Sequence, residues 1–225
     1  MFQSAFIAAT VFLLPFGARD KLRAGENASD DAIPGASAWV VVSHGDSLTI
    51  SNRTRKDSAI REFKAVGMFD LDAATVKRVI DDTDEYTHFM PYVTECRVLS
   101  RHPGGLVCYQ RVSPPFVSAR DYTIAVRFET WHSPAGTCYY NHWDLANEQG
   151  PAEQPGTARV KINQGSWLLE PAGDGHQTKA TYRIYSDSGG TLPAMIVNAV
   201  TKTAIPKLFD SIRKQAKLPK YAGKN

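Results

Sequence analysis

Of its 225 residues the chain has only three cysteines and six histidines, so it is poor in the side chains that most often ligate metals or act as nucleophiles. The cysteines, Cys96, Cys108 and Cys138, are odd in number and match no metal-ligand spacing. His88, His132, His142 and His176 are scattered over unrelated segments, without HExxH or a His-carboxylate pattern. There is no GxSxG elbow, no glycine-rich phosphate loop and no Cys-His signature. These absences argue against an enzyme and give no motif for a metal or other cofactor.

Long runs of one charge are missing too. With 26 basic and 23 acidic residues the formal net charge is +3, and nothing resembles a stripe that tracks a phosphate backbone, which excludes nucleic acid as a partner class. The densest basic cluster, Arg213, Lys214, Lys217, Lys220 and Lys224, reads first as a solvated helix end whose cations complement the dipole. Transient contact with anionic headgroups is the second reading.

The apolar run Ala5–Leu14 has the length of a secretory h-region. A span needs about 20 apolar residues, and Pro15 and Gly17 cut this one short. Met1–Ala18 therefore reads as a signal peptide for export, periplasmic or extracellular, with an uncleaved membrane anchor as the alternative. Arg19–Ser37, rich in Ala, Gly, Asp and Asn, reads as a flexible linker. Residues 38–220 are expected to form one domain, and a monomer. Asn27-Ala28-Ser29 and Asn52-Arg53-Thr54 have the form of glycosylation sequons, a pattern common by chance.

What is abundant is alternation. Strands are expected at Trp39–His44, Ser47–Asn52 and Glu62–Phe69, the first two joined by a turn in which Gly45 takes positive φ. Asp72–Asp81 switches to helical period, with Ala73, Val76, Val79 and Ile80 in one stripe and Asp70 or Asp72 as the cap. A short helix at Glu85–Met90 stops before Pro91. Six further strands follow, at Val93–Ser100, Leu106–Val112, Asp121–Thr130, Thr137–Ala146, Val160–Glu170 and Thr178–Ser186, at hairpin-like intervals that favour an antiparallel meander. In the third of these, Tyr122, Ile124, Val126 and Phe128 share an apolar face. Alternation also places Cys96 and Val98 on the face of Val107 and Tyr109, with Cys108 opposite, so three free thiols are expected.

The last element, Pro193–Gln215, starts with proline after a Gly-Gly turn and carries Pro206, expected to kink it. Its first half, with Met195, Ile196, Val197, Ala199 and Val200, is apolar around most of its circumference. It is the one helix long and apolar enough to cover the concave face of a curved sheet.

Five segments occur in a fixed order: FKAVGMFD at Phe63–Asp70, EYTHFMPYVTECRVL at Glu85–Leu99, PPFVSARDY at Pro114–Tyr122, GSWLLEP at Gly165–Pro171 and SGGTLPAMIVN at Ser188–Asn198. In this order they resemble the START family, the lipid-transfer domains related to the steroidogenic acute regulatory protein, from about Ala38 to Lys217. The resemblance implies an α+β helix-grip fold, a curved antiparallel β-sheet around a long C-terminal α-helix, with one lipid enclosed in an internal cavity. It implies binding and transfer rather than catalysis; a polyketide cyclase or aromatase on the same fold, or a ligand-sensing interaction module, is the alternative.

Common strand parity and the apolar helix nominate Val98, Tyr109, Tyr122, Ile124, Val126, Trp167, Tyr182, Ile184, Met195, Ile196 and Ala199 as lipid-contacting residues. Arg111, in phase with Tyr109, is the candidate cavity cation, and Arg120-Asp121 reads as a structural ion pair. The loop Pro114–Ala119 carries Phe116, either a wedge at the cavity mouth or a core plug; this loop and the proline-weakened helix are the candidate gates. Phosphatidylcholine binders of the family use an arginine in the short helix, here Asp82–Tyr92, where this chain has none. That favours a sterol-like or other weakly polar lipid.

Overall fold

The computed structural model describes residues 33–115, 117–187 and 192–222. The apolar N-terminus, most of the segment read as a linker, Phe116 and the Gly-Gly turn lie outside these residues.

The hairpin β1 (Val40–Gly45) and β2 (Leu48–Thr54) is followed by β3 (Arg61–Phe69), antiparallel to β2. Two helices, α1 (Ala73–Asp81) and α2 (Tyr86–Phe89), then carry the chain to the opposite edge of the sheet. There β4 (Val93–His102) starts a return through β5 (Gly105–Val112), β6 (Arg120–Ser133) and β7 (Gly136–Leu145). The two-residue β8 (Ala158–Arg159) runs parallel to the start of β6, and β9 (Ile162–Ala172) and β10 (Gln177–Asp187) complete the path, β10 closing against β3. The sheet order is β1-β2-β3-β10-β9-β7-β6-β5-β4, antiparallel along its length. This curved sheet wraps the long helix α3 (Ala194–Gln215), the helix-grip arrangement.

Local chemistry explains the element ends. Asp72 rather than Asp70 caps α1: its Oδ1 accepts the Thr75 amide at 2.8 Å, satisfying a donor that the first helical turn leaves open. The predicted stripe Ala73, Val76, Val79 and Ile80 is buried. The first hairpin differs from expectation in its turn, which uses Asp46 and Ser47; Gly45 stays in the strand and has no positive φ. At the β4–β5 hairpin Gly104 does adopt φ 83°, which suits a residue without a Cβ.

The core lies between the sheet and the C-terminal half of α3. Phe209 stacks on Phe69 with ring centroids 5.4 Å apart and nearly parallel planes, and meets Trp167 at 5.2 Å. Gly67 permits this approach, since a Cβ there would sit 2.6 Å from the Phe209 ring. Ile205 and Ile212 are buried on the same face of the helix. The helix runs without interruption through Pro206.

On the outer face, Glu62 is almost fully buried between Arg53, Arg55 and Arg183, at 2.8, 3.0 and 2.8 Å. Trp39 covers this cluster, its ring beneath the guanidiniums of Arg53 and Arg183 and the ammonium of Lys64. The last residues of the segment read as a linker pack onto the sheet, because the Ser37 amide donates to the Thr54 carbonyl and its hydroxyl accepts the Thr54 amide. Among the described residues no helix is long and apolar enough to cross a membrane.

Candidate functional site

The concave face of the sheet does not close fully on α3; a cavity of about 300 Å³ remains between them. Every second residue of β6 faces it: Arg120 is followed by Tyr122, Ile124, Val126 and Phe128. Strands β9 and β10 contribute Asn163 and Trp167, then Tyr182, Ile184 and Ser186. The helix closes it with Val200, Thr201, Ala204, Ile205 and Leu208, one face at three- and four-residue spacing. The end of α1 and the segment Met90–Val93 cover the remaining side.

Tyr122, Ile124, Val126, Trp167, Tyr182 and Ile184 are thus brought together on one wall. Other nominated residues stand elsewhere. Tyr109 and Arg111 point to the outer face, because Gln110 pairs with the inward-facing Tyr122 and Arg111 pairs with Asp121. The misplacement has a physical origin: Gly105–Gln110 are buried on both faces, so the strand shows no wet side from which to fix its phase. Val98 is on the inner face, opposite Cys108, but in the edge strand β4 and outside the cavity wall.

The helix residues Met195, Ile196 and Ala199 also face away; Met195 is 77% and Ile196 37% exposed. An apolar turn gives no periodic contrast, and one position of rotation about the helix separates Ala199 from Val200. Phe116 lies outside the described residues.

The cysteine assignment is corrected as well. Cys96 pairs with Gln110 and Val98 with Cys108, so both thiols face inward, with sulfurs 3.7 Å apart. A register irregularity between Val98 and Ser100 shifts the phase of the hairpin. All three cysteines are free thiols.

The polar groups on the cavity wall form two sets. Across the sheet, Trp143 Nε1 donates to Asn163 Oδ1 at 3.0 Å, the Tyr122 hydroxyl donates to Gln110 Oε1 at 2.8 Å, and Gln110 Nε2 donates to the Cys108 sulfur. Near α1, Asn141 Nδ2 donates to Asp81 Oδ1 at 2.6 Å, Lys77 bridges to the other Asp81 oxygen, and Tyr86 donates to the Ile80 carbonyl. The Thr83 hydroxyl and Asn141 Oδ1 are buried without a hydrogen-bond partner. Burial pushes the hydroxyls of Tyr86, Tyr122 and Tyr182 well above the usual phenol range, so they serve as neutral donors and acceptors.

The Arg120-Asp121 dipeptide is not an ion pair. Asp121, fully buried on the outer side, accepts from Arg159 at 2.8 and 3.2 Å and from the Tyr109 hydroxyl at 3.1 Å. Arg120 faces the cavity and, among the described residues, donates only to the Ser118 carbonyl. The same alternation that marks Tyr122 and Ile124 extends back to Arg120, and that signal was available in the sequence. Asn141, Asn163 and Thr83 carried no comparable mark.

The START domain model matches residues 21–220. The chain belongs to the START domain family. The match begins within the segment read as a linker. An uncharacterized protein of Pseudomonas aeruginosa is 23% identical over 182 residues, 80% of this chain and 88% of that one. Among solved structures, a STAR-related lipid transfer protein from Xanthomonas axonopodis superposes with a TM-score of 0.72 at 20% identity, covering 81% of this chain and 100% of that one. Human StAR-related lipid transfer protein 5 gives 0.72 at 15% identity, with 84% and 89% covered. The Zhui aromatase/cyclase from a Streptomyces species gives 0.52 at 15% identity, with 70% and 93% covered. At these identities the structural likenesses are likenesses of fold.

Proposed function

We propose that this START domain binds one lipid in the cavity between sheet and α3 and transfers it between membranes without changing it. The observation that carries the reading is the cavity itself, walled in large part by apolar side chains such as Ile124, Val126, Trp167, Ile184 and Leu208. Each buried methylene contributes about 0.8 kcal/mol, so such walls supply affinity while the polar residues set orientation. A cargo without a phosphocholine head is favoured, since no arginine lies in residues 82–92.

Non-catalytic action is supported by the state of the wall's titratable groups. The tyrosines are held neutral, and the Asp81 carboxylate is already engaged by Lys77 and Asn141. Among the described wall residues, neither these tyrosines nor Asp81 is left free to accept a proton from a substrate. A cyclase reading has in its favour only the fold shared with the aromatase/cyclase. Organic extraction of the purified full chain followed by mass spectrometry tests the proposal: one unmodified lipid per chain supports it, and conversion of an added aromatic polyketide supports the cyclase. Export rests on Met1–Ala18 and is checked by sequencing the mature N-terminus.

A further inference from the structure

The cavity contains a cation that no carboxylate among the described residues neutralises. Arg120 is 96% removed from solvent, its residual exposure being 4%. Among the described residues its Nε has no hydrogen-bond partner, and its one bond goes to a neutral carbonyl, that of Ser118. No carboxylate among the described residues forms an ion pair with it. Asp121 is turned away to Arg159, and Asp81, the acidic residue on the wall, lies beside Asn141, the partner of Phe128 eight residues further along β6. At 3.3 Å per residue that is about 26 Å along the strand. Burial lowers the affinity of Arg120 for its proton, with no opposing acid, yet a guanidinium stays charged under all ordinary conditions.

A buried, uncompensated cation is costly, and an anion arriving with the ligand would relieve that cost. Accepting the lipid-binding reading above, we propose that the cargo carries a single anionic group, a carboxylate or a phosphate monoester, held by Arg120, with its apolar body running along Ile124 and Val126 toward Phe128. Nε offers a donor with no competing partner, and Ser118 fixes the plane of the guanidinium fork that an oxyanion would meet. The fork sits at one end of the β6 wall, where Val112 pairs with Arg120 and Val160 follows the short strand β8. The orphaned Thr83 hydroxyl and Asn141 Oδ1 lie at the other end, so the ligand would enter with one defined polarity.

The test uses the delipidated full chain and three probes with the same alkyl chain: dodecanoate, dodecyl phosphate and dodecanol. Wild-type protein is expected to bind at least one of the anions roughly tenfold more tightly than the alcohol, and the tighter anion identifies the class of head. R120M should lose the preference for anion over alcohol, and R120K should recover part of it. Equal binding of acid, phosphate and alcohol by the wild type overturns the proposal while leaving lipid binding intact; so does a preference that survives in R120M. Failure of all three probes to bind overturns both. Because the wild-type comparison needs no variant, poor folding of R120M does not blunt the test.

Discussion

Arg120 and Asp121 are neighbours in the chain and lie on opposite faces of the sheet, Asp121 closed in a bidentate pair with Arg159 and Arg120 turned into the cavity beside Tyr122. Strand geometry separates them, since successive side chains point to opposite sides. A dipeptide that looks like a salt bridge is therefore split between two tasks. Asp121 ties the outer segment around β8 to β6, and Arg120 faces the ligand space.

This division leads to unequal effects on stability. D121A leaves Arg159 without its buried partner and frees the Tyr109 hydroxyl, and is expected to cost about 3–5 kcal/mol. R120M removes a cation that has no counter-charge among the described residues and should leave the unliganded protein as stable as wild type or more so. Urea unfolding of both variants checks this; equal losses would show that Arg120 is a structural residue.

Glu62 makes the fold sensitive to acid. Burial by itself would raise its carboxyl, but hydrogen bonds from Arg55 and Arg53 and the charge of Arg183 outweigh that and hold it below the value of 4.5 usual for glutamate. A depressed folded-state value means that stabilisation is fully present above about pH 4.5 and is lost as the pH falls through the lower, folded value. Wild-type stability should accordingly fall between pH 5 and 3 more steeply than that of E62Q. At pH 7 the variant should already be weaker by about 3 kcal/mol, with three arginines left facing a neutral amide. Parallel acid limbs for the two proteins would contradict the assignment.

G67A probes the contact between sheet and helix. The added methyl would fall 2.6 Å from the Phe209 ring, so either the ring or the helix must move, at about 1–3 kcal/mol. The drop in denaturation midpoint should be accompanied by altered near-UV signals from Trp167, which touches the same ring.

Three free thiols remain the expectation, for a reason different from strand alternation. Cys96 and Cys108 share a face but stand diagonally across the β4–β5 ladder, a relation that places Cα atoms about 7–8 Å apart. That exceeds the span a disulfide closes without backbone movement. Alkylation of the unfolded chain without reductant should add three labels; one label would mean that the strands shift to let the pair close.

The outline of the fold was legible in the sequence because its elements are written in strong local codes. Asp72 before the stripe Ala73–Ile80 marks a capped helix, and the alternation from Tyr122 to Phe128 marks a strand with one buried side. The site was legible only where those codes have contrast. On β6 the polar residues Thr123, Arg127 and Glu129 alternate with the apolar ones and fix the phase, so Tyr122, Ile124 and Val126 fall on the wall as their parity indicates. On β5, buried on both sides, Tyr109 and Arg111 carry no such reference. The first turns of α3 have the same defect: Met195, Ile196 and Ala199 are as apolar as Val200, and only the packing of Phe209 and Ile212 further along sets the rotation of the helix. Polar residues such as Asn141 and Asn163 become cavity residues through strand pairing between distant segments, which no local pattern encodes.

The central claim, one lipid inside the cavity, is tested most directly by quenching tryptophan fluorescence with a lipid brominated along its acyl chain. Trp143 and Trp167 are on the cavity wall, and Trp39 lies on the outer face over Arg53. Titration should quench the emission in a step that saturates at one lipid per chain, and the double substitution W143F/W167F should abolish that step. Quenching that does not saturate at that ratio, or that persists undiminished in the double variant, would place the lipid on the surface and contradict the account.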